Sequence, residues 1–167
     1  GVLTIDTIGL TDAKMQAMPK LEIVCALGVG YENSDISSAR QRGIIVANGA
    51  GTNDACVADH AFGLLIAAVR GIVTLDHAVR RGMFRDALPA YSPTVANKRL
   101  GIVGLGMIGR QLAKRAAGFD MEVGYHSRSR RDEVAYAYFD SVHDLAKWCD
   151  FLIVATPGGP ATRHLVN

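Results

Sequence analysis

Short apolar runs alternate with amphipathic stretches along this chain, and the alternation predicts an α/β fold with parallel sheets. The first clear run, LEIVCAL at 21–27, leads into the glycine-flanked turn GVG and is typical of a buried strand. Asp35 stands where it can cap a following helix, and Gly43 stands where that helix should end. The predicted elements of this β-loop-α-β unit are strands over 21–27 and 44–47 and a helix over 36–42.

A long amphipathic stretch follows a break that is rich in Gly and Asn, and it predicts one helix from Thr52 or Asn53 to about Arg81. Its apolar residues recur at helical spacing: Val57, Ala61, Leu64, Leu65, Ala68 and Ile72. At the usual rise per residue this helix is about 40 Å long, a length common where a helix bridges two domains or forms an oligomer face. Gly63 and Gly71 are unfavourable inside a helix, so they predict either close packing or a kink.

The rest of the chain repeats the alternation and predicts a second parallel sheet, after a proline-containing loop over 86–98. Its apolar runs predict strands, and the amphipathic stretches between them predict helices. The strands are predicted over 99–103, 121–125, 136–139 and 151–155, and the helices over 107–117 and 142–149.

Three glycines, Gly104, Gly106 and Gly109, stand at GxGxxG spacing between a predicted strand and a predicted helix. In that context the spacing is typical of the phosphate-binding turn of a dinucleotide-binding domain, the alternative being a glycine-rich turn in an empty α/β domain. The first glycine permits the tight turn, the second lets a pyrophosphate approach the backbone, and the third lets helix and strand pack closely. The helix N-terminus then holds the anion. The predicted fold class is therefore α/β with two Rossmann- or flavodoxin-like parallel-sheet domains, each expected to be incomplete.

The end of the second strand in this unit decides which nicotinamide cofactor fits. An acidic residue there accepts hydrogen bonds from the adenine ribose 2′-OH and selects NAD(H). Here the predicted strand end at Tyr125 is followed by HSRSRR at 126–131, and Asp132 and Glu133 come too late unless the strand ends later. Hydroxyl and guanidinium groups suit a 2′-phosphate, so the sequence predicts NADP(H) over NAD(H), the alternative being a solvated loop.

Composition excludes other classes of function without changing this interpretation. The net charge of +2 over 167 residues gives no indication of nucleic-acid or membrane-surface binding. The apolar run at 61–69 is far shorter than the roughly 20 residues that span a bilayer. Cys25, Cys56 and Cys149 show no CxxC spacing, so we expect buried, reduced thiols in a cytoplasmic protein and no metal site.

Nearly the whole chain resembles the D-isomer-specific 2-hydroxyacid dehydrogenases, especially their NADPH-preferring glyoxylate/hydroxypyruvate reductase-like branch. The segments that carry the resemblance are ALGVGYEN at 26–33, GAGTNDACVADH at 49–60, VGLGMIG at 103–109, YHSRSRR at 125–131, and TPG at 156–158 with Thr162. The resemblance implies that residues 1–52 belong to the substrate domain. It also implies that 53–167 form the interdomain helix and a four-strand part of the dinucleotide-binding domain, with a homodimer through the region 53–81.

The resemblance also implies roles for individual residues. Val29 and Gly30 present N–H groups to the substrate carboxylate, which a glycine-flanked turn can do, and Leu27 lies along the substrate pocket. The residues implied to contact the cofactor are Gly104, Gly106, Met107, Ile108 and Gly109 at the pyrophosphate, Ser127, Arg128 and Ser129 at the 2′-phosphate, Thr156 and Pro157 at the adenosine side, and Thr162.

The family's reaction also uses an Arg, a general acid/base His and a Glu, and the resemblance implies that all three follow the segment at 165–167. The histidines of this chain do not match that catalytic position: His60, His77, His126, His143 and His164. The chain also begins without Met, inside a predicted strand, so we expect the middle of a larger enzyme, inactive by itself. The whole protein is predicted to pass a hydride from NADPH to a small 2-oxo acid of the glyoxylate or hydroxypyruvate type, giving a D-2-hydroxy acid. The alternatives are a dinucleotide-sensing, corepressor-like interaction protein and a dehydrogenase of formate or phosphite type.

Overall fold

The computed structural model describes residues 1–85 and 93–166, which form two compact units, each with its own parallel sheet. One unit comprises Gly1–Asp54 with Pro157–Asn167, and the other comprises Ala55–Thr156. The predicted α/β class with two parallel sheets is confirmed. The part of the predicted loop that falls at 86–92 lies outside the described residues.

In the first unit, three parallel strands stand in the order in which they occur along the chain. The elements are β1 (Val2–Ile5), α1 (Asp12–Gln16), β2 (Ile23–Leu27), α2 (Ile36–Gln41) and β3 (Ile45–Asn48). The capping role predicted for Asp35 is confirmed, because its carboxylate accepts the Ser38 N–H at 2.8 Å. Gly43 follows α2 with a φ of +68°, a left-handed conformation that favours glycine and ends the helix. The buried core consists of Leu10, Met15, Val24, Ala39 and Ile44.

The second unit has a four-stranded parallel sheet between helices. Its elements are α3 (Asp54–Val69), α4 (Ile72–Arg80), β4 (Arg99–Val103), α5 (Met107–Ala117), β5 (Glu122–His126), β6 (Ala137–Tyr138), α6 (Val142–Trp148) and β7 (Phe151–Val154). From β4 onward every bound lies within one residue of its prediction. The strand order β6-β5-β4-β7 puts the first strand of the unit beside the second and the fourth. This is the arrangement of the first four strands of a doubly wound dinucleotide-binding sheet.

The single long helix predicted to reach Arg81 is wrong, because α3 and α4 meet at an angle of 60°. Gly71 lies between them with a φ of +61°, and its N–H donates to the Ala68 carbonyl in a tighter turn. The kink expected as one option at Gly71 is therefore confirmed. Gly63 shows neither close packing nor a kink within residues 1–85 and 93–166, since α3 runs through it and no atom of those residues lies within 4 Å of a Cβ placed there. No single described helix is long and apolar enough to cross a membrane, and only the bent α3–α4 pair reaches that length and composition together.

The side-chain cap predicted for this helix at Thr52 or Asn53 is also wrong. Thr52 is held in a turn, where both its N–H and its hydroxyl donate to the Gly49 carbonyl, at 3.1 and 2.7 Å. The Asn53 Oδ1 is buried and accepts no hydrogen bond from the described residues. None of the three cysteines is fully buried as expected. Cys25 and Cys149 are half-buried, and Cys56 lies on the exposed side of α3, whereas Ala58 and Phe62 carry the buried face of that helix.

Candidate functional site

The first glycine of the GxGxxG motif lies where β4 ends between two neighbouring strand ends. Gly104 has a φ of +97°, and its N–H donates to the His126 carbonyl at the end of β5 at 2.8 Å. A Cβ at Gly104 would lie 2.5 Å from the Ala155 carbonyl oxygen, directly after β7, and close to Thr156. The turn therefore requires glycine for both its backbone conformation and its space.

The third glycine is required by packing within α5. Gly109 is buried, and a Cβ there would lie only 2.2 Å from the Gly104 carbonyl oxygen. Ile108 is half-buried against the core, whereas Met107 is exposed. Helix α5 can therefore begin against the turn only because Gly109 has no side chain.

Neither backbone conformation nor packing among the described residues requires glycine at the second position of the motif, Gly106. Gly106 is the N-cap residue of α5 in an extended conformation that any residue adopts, and none of the described residues lies within 4 Å of a Cβ placed there. The first turn of α5 has neither a side-chain cap nor an acidic residue. Its N–H groups have no partner within the helix, so the positive helix end stays open. The space beside Gly106 fits the approach of a phosphate to these N–H groups.

The segment after β5 presents hydroxyl and guanidinium groups. The strand ends at His126, one residue later than predicted, and no carboxylate stands there. The Ser127 hydroxyl donates to the Ser129 carbonyl at 2.7 Å, while Arg128 and Ser129 are exposed. The Arg128 guanidinium makes no ion pair or hydrogen bond with the residues that the structure describes.

The two acidic residues further along this segment are engaged by other arginines. Asp132 lies 3.5 Å from the Arg130 guanidinium, and Glu133 pairs with Arg110 on α5. The pKa of Glu133 lies below its ordinary value, first because its own backbone N–H donates to the carboxylate and then because of Arg110. Neither carboxylate stands at the strand end where an NAD(H)-selective acid is found.

The residues predicted to contact a substrate carboxylate lie in the first unit, directly after β2. Gly28 turns the backbone with a φ of +93°, and its carbonyl accepts the Gly49 N–H at 2.7 Å. The Asn48 side chain, at the end of β3, donates to the Val29 carbonyl at 2.7 Å. The N–H groups of Val29 and Gly30 have no acceptor among the described residues, which leaves them available to an anion. Leu27 is largely exposed at the strand end.

Two carboxylates beside this turn have no role in the sequence prediction. A Cβ at Gly30 would lie 2.6 Å from the Asp6 Cγ and 2.8 Å from the Glu32 Oε2. The pKa of Asp6 is raised, first by its hydrogen bond to Glu32 and then by burial. The pKa of Glu32 is lowered, first by its own N–H and further by Asp6, Tyr31 and Gly158. Glu32 stands within the quoted motif, but nothing in the sequence indicates that Asp6 meets it.

The remaining predicted contacts follow β7 along the chain. Thr156 is half-buried beside Gly104, in the second unit, and Pro157 and Thr162 belong to the first unit. The Thr162 hydroxyl donates to the Pro157 carbonyl at 2.6 Å and closes this short loop. The described residues hold no group of three His, Cys, Asp or Glu side chains arranged to bind a metal ion.

An open helix end after a glycine turn, in a 3-2-1-4 parallel sheet, defines a dinucleotide-binding domain. Residues 62–167 match the family model for the NAD binding domain of D-isomer specific 2-hydroxyacid dehydrogenases. The chain therefore belongs to the D-isomer specific 2-hydroxyacid dehydrogenase family.

Curated relatives are reductases of small oxo acids by name. The chain is 40% identical to hydroxyphenylpyruvate reductase of Plectranthus scutellarioides, over 93% of this chain and 50% of that protein. It is 42% identical to glyoxylate reductase of Pyrococcus horikoshii, over 89% of this chain and 47% of that protein. The chain thus spans about half the length of the curated relatives it matches. The corepressor-like alternative gains no support from these relatives.

The chain is also similar to a solved structure. It is the NADPH-dependent glyoxylate/hydroxypyruvate reductase from Sinorhizobium meliloti, in complex with NADP and malonate. The TM-score is 0.91 at 33% sequence identity, and the match covers 99% of this chain and 52% of that one. The fold assigned from the strand order therefore agrees with that of a solved member of the branch that the sequence resembles.

Proposed function

We propose that the protein to which this chain belongs is an NADPH-dependent reductase of small 2-oxo acids, which forms D-2-hydroxy acids. The observation that carries the proposal is the segment after β5. There Ser127 and Arg128, which has no ion-pair partner among the described residues, occupy the place of the acid that selects NAD(H). The names of the relatives support glyoxylate or hydroxypyruvate as the substrate class.

The residues of this chain would hold the cofactor by its phosphates. The N–H groups at the start of α5, reached across Gly106, would bind the pyrophosphate, with Met107 and Ile108 beside it. Ser127, Arg128 and Ser129 would bind the 2′-phosphate. When bound, the reduced nicotinamide supplies the hydride.

The turn after β2 would bind the substrate carboxylate. The free N–H groups of Val29 and Gly30 suit an anion, and the exposed Leu27 offers an apolar contact to a short carbon chain. Reduction of a carbonyl also needs a proton donor beside the forming alkoxide. The chain spans about half the length of its relatives, so we propose that this donor belongs to the part of the protein that corresponds to the other half of those relatives.

Exchange of Arg128 for Asp tests the cofactor preference. Charge-assisted hydrogen bonds are each worth about 1.5–3 kcal/mol, so NADPH should bind about 10- to 150-fold more weakly to the whole protein. NADH lacks the 2′-phosphate, and its Kd should change little. Both constants follow from titration of nucleotide fluorescence. Arg40→Asp makes the same charge change on α2 and should alter neither.

Two results would contradict this cofactor assignment. One is an equal loss of NADH and NADPH binding in Arg128→Asp, because a 2′-phosphate contact affects NADPH alone. The other is wild-type protein that oxidises NADH and NADPH equally well with glyoxylate and hydroxypyruvate. In either case the segment after β5 would be a solvated loop.

We propose further that the protein forms a homodimer through α3 and α4. Apolar side chains on these helices are exposed within the chain: Val57, Leu64, Ile72, Val73 and Val79. Such a patch is typical of a surface that another protein covers. Sedimentation of the whole protein at micromolar concentration should give the mass of two chains, and a single-chain mass would refute the dimer.

A further inference from the structure

A buried tyrosine holds the far end of the segment that follows β5. Tyr125 is 1% exposed, and its ring contacts that of Tyr138, with 5.4 Å between the ring centroids. Its hydroxyl accepts the Arg131 N–H at 2.7 Å and donates to the Arg131 carbonyl at 3.3 Å. Both backbone groups of one exposed residue are thus bonded to a side chain that the core keeps in place.

The near end of the same segment is held at His126. Its carbonyl accepts the Gly104 N–H at 2.8 Å. Its Nδ1 lies 2.9 Å from the Phe139 carbonyl and must carry the hydrogen, because a carbonyl only accepts. Residues 127–130 therefore span two fixed points. The Ser127 hydroxyl closes a turn between these points, and Arg128 lies at its exposed tip.

An exposed ion pair also lies at the far end of the segment. Glu133 pairs with Arg110, but both side chains are about half exposed. Exposed ion pairs contribute little and are screened by salt. Without the Tyr125 hydroxyl, the far end of the segment would keep this surface pair, a long hydrogen bond of 3.4 Å from the Val134 N–H to the Arg131 carbonyl, and the packing of Val134 against the core.

We propose that Tyr125 is a positioning residue for NADP(H) selectivity. Its buried hydroxyl fixes Arg131, and so holds Ser127, Arg128 and Ser129 in the arrangement that receives a 2′-phosphate. The inference rests on the proposed NADP(H) function, and it adds a residue that acts through the loop without touching the cofactor. A binding loop ordered in advance loses less conformational entropy when its ligand arrives.

Tyr125→Phe keeps the ring and removes only the hydroxyl, so it isolates this role. In the whole protein the Kd and KM for NADPH should rise about 3- to 10-fold, with kcat unchanged. The Kd for NADH should stay within about twofold, because the pyrophosphate turn is untouched. Tyr136→Phe is the matched control, since the Tyr136 hydroxyl makes no hydrogen bond among the described residues.

The outcomes separate this inference from the proposed function. Wild-type protein without a preference for NADPH would refute the proposed function itself. A wild type that prefers NADPH, together with a Tyr125→Phe variant that keeps the full preference, would refute the positioning role alone. Equal weakening of NADPH and NADH would also refute it, because the hydroxyl would then support the fold in general.

A second pair of variants covers the case in which Tyr125→Phe does not fold. Arg131→Ala and Arg131→Gly remove the same exposed guanidinium, but only glycine loosens the backbone that Tyr125 holds. We expect Arg131→Gly to bind NADPH at least about twofold more weakly than Arg131→Ala, with equal Kd values for NADH. Equal Kd values of the two variants for NADPH would overturn the proposal.

Discussion

Replacement of Gly106 by alanine separates what the fold needs from what the ligand needs. Gly106 has a φ of −80° and a ψ of −159°, and a Cβ placed there meets no atom within 4 Å in the described part of the chain. The methyl group therefore meets neither backbone strain nor a clash. We expect the free energy of unfolding to change by less than about 0.5 kcal/mol.

Cofactor binding should respond very differently to the same change. The methyl group would stand in the space through which a pyrophosphate reaches the first-turn N–H groups of α5. Excess volume at a close-packed contact costs about 1–3 kcal/mol, and each 1.4 kcal/mol is a factor of ten. We therefore expect binding about 5- to 150-fold weaker. The affinities for NADH and NADPH should fall by the same factor, because both cofactors contain the pyrophosphate.

The assay combines thermal or urea unfolding with fluorescence titration of both nucleotides. Gly63→Ala is the control for an open helical glycine, and it should add about 0.5–1 kcal/mol of stability without affecting binding. Gly109→Ala is the opposite control, because a Cβ 2.2 Å from the Gly104 carbonyl oxygen should prevent native folding. If Gly106→Ala binds nucleotide like the wild type, the explanation that glycine makes room for the pyrophosphate is refuted. If Gly106→Ala does not fold, the conclusion that the fold tolerates a side chain at this position is refuted.

Two further changes test stability. Asp6→Asn keeps a donor toward Glu32, so it should stabilise the protein above the raised pKa of Asp6, where the wild type carries an unfavourable charge. The gain should vanish as the pH falls below 3.8, because the wild-type carboxyl is then protonated in both the folded and the unfolded state; a pH-independent gain in urea unfolding would contradict this. Gly71→Ala should lower the free energy of unfolding by about 1–2 kcal/mol, because alanine must adopt a φ of +61°. A gain in stability would contradict this prediction.

The second sheet could be predicted closely because its apolar runs are short and separated by clear breaks. In β4, residues 100–103 are all buried, so a continuous apolar run indicated both the strand and its bounds. The break at Gly71 could not be predicted in the same way. Ala68 and Ile72 keep the helical spacing across it, so the hydrophobic pattern continues where the backbone does not. A single glycine costs only about 1 kcal/mol inside a helix, which is too little to decide the matter without the packing.

The carboxylates at the substrate turn show a different limit. Asp6 and Glu32 meet at Gly30 because β1 pairs with β2 in a register that places Ile5 opposite Leu27. The residues after both strands then lie at the same edge of the sheet. Sequence patterns indicate that each strand exists, but not which neighbour it takes or in what register. For the same reason the sequence does not predict the hydrogen bond from the Asn48 side chain to the Val29 carbonyl, which joins the ends of β3 and β2.

Charge pairing within the segment after β5 supports the cofactor preference that we propose. Its sequence holds arginines and acids side by side, and composition alone does not say which charges remain available. The structure pairs Asp132 with Arg130 and Glu133 with Arg110, so both acids are occupied at a distance from the strand end. Arg128 keeps its charge without a partner among the described residues. Under the proposed function, a 2′-phosphate would meet that cation, whereas a ribose hydroxyl would find no free carboxylate among the described residues, and a preference for NADPH would follow from that difference.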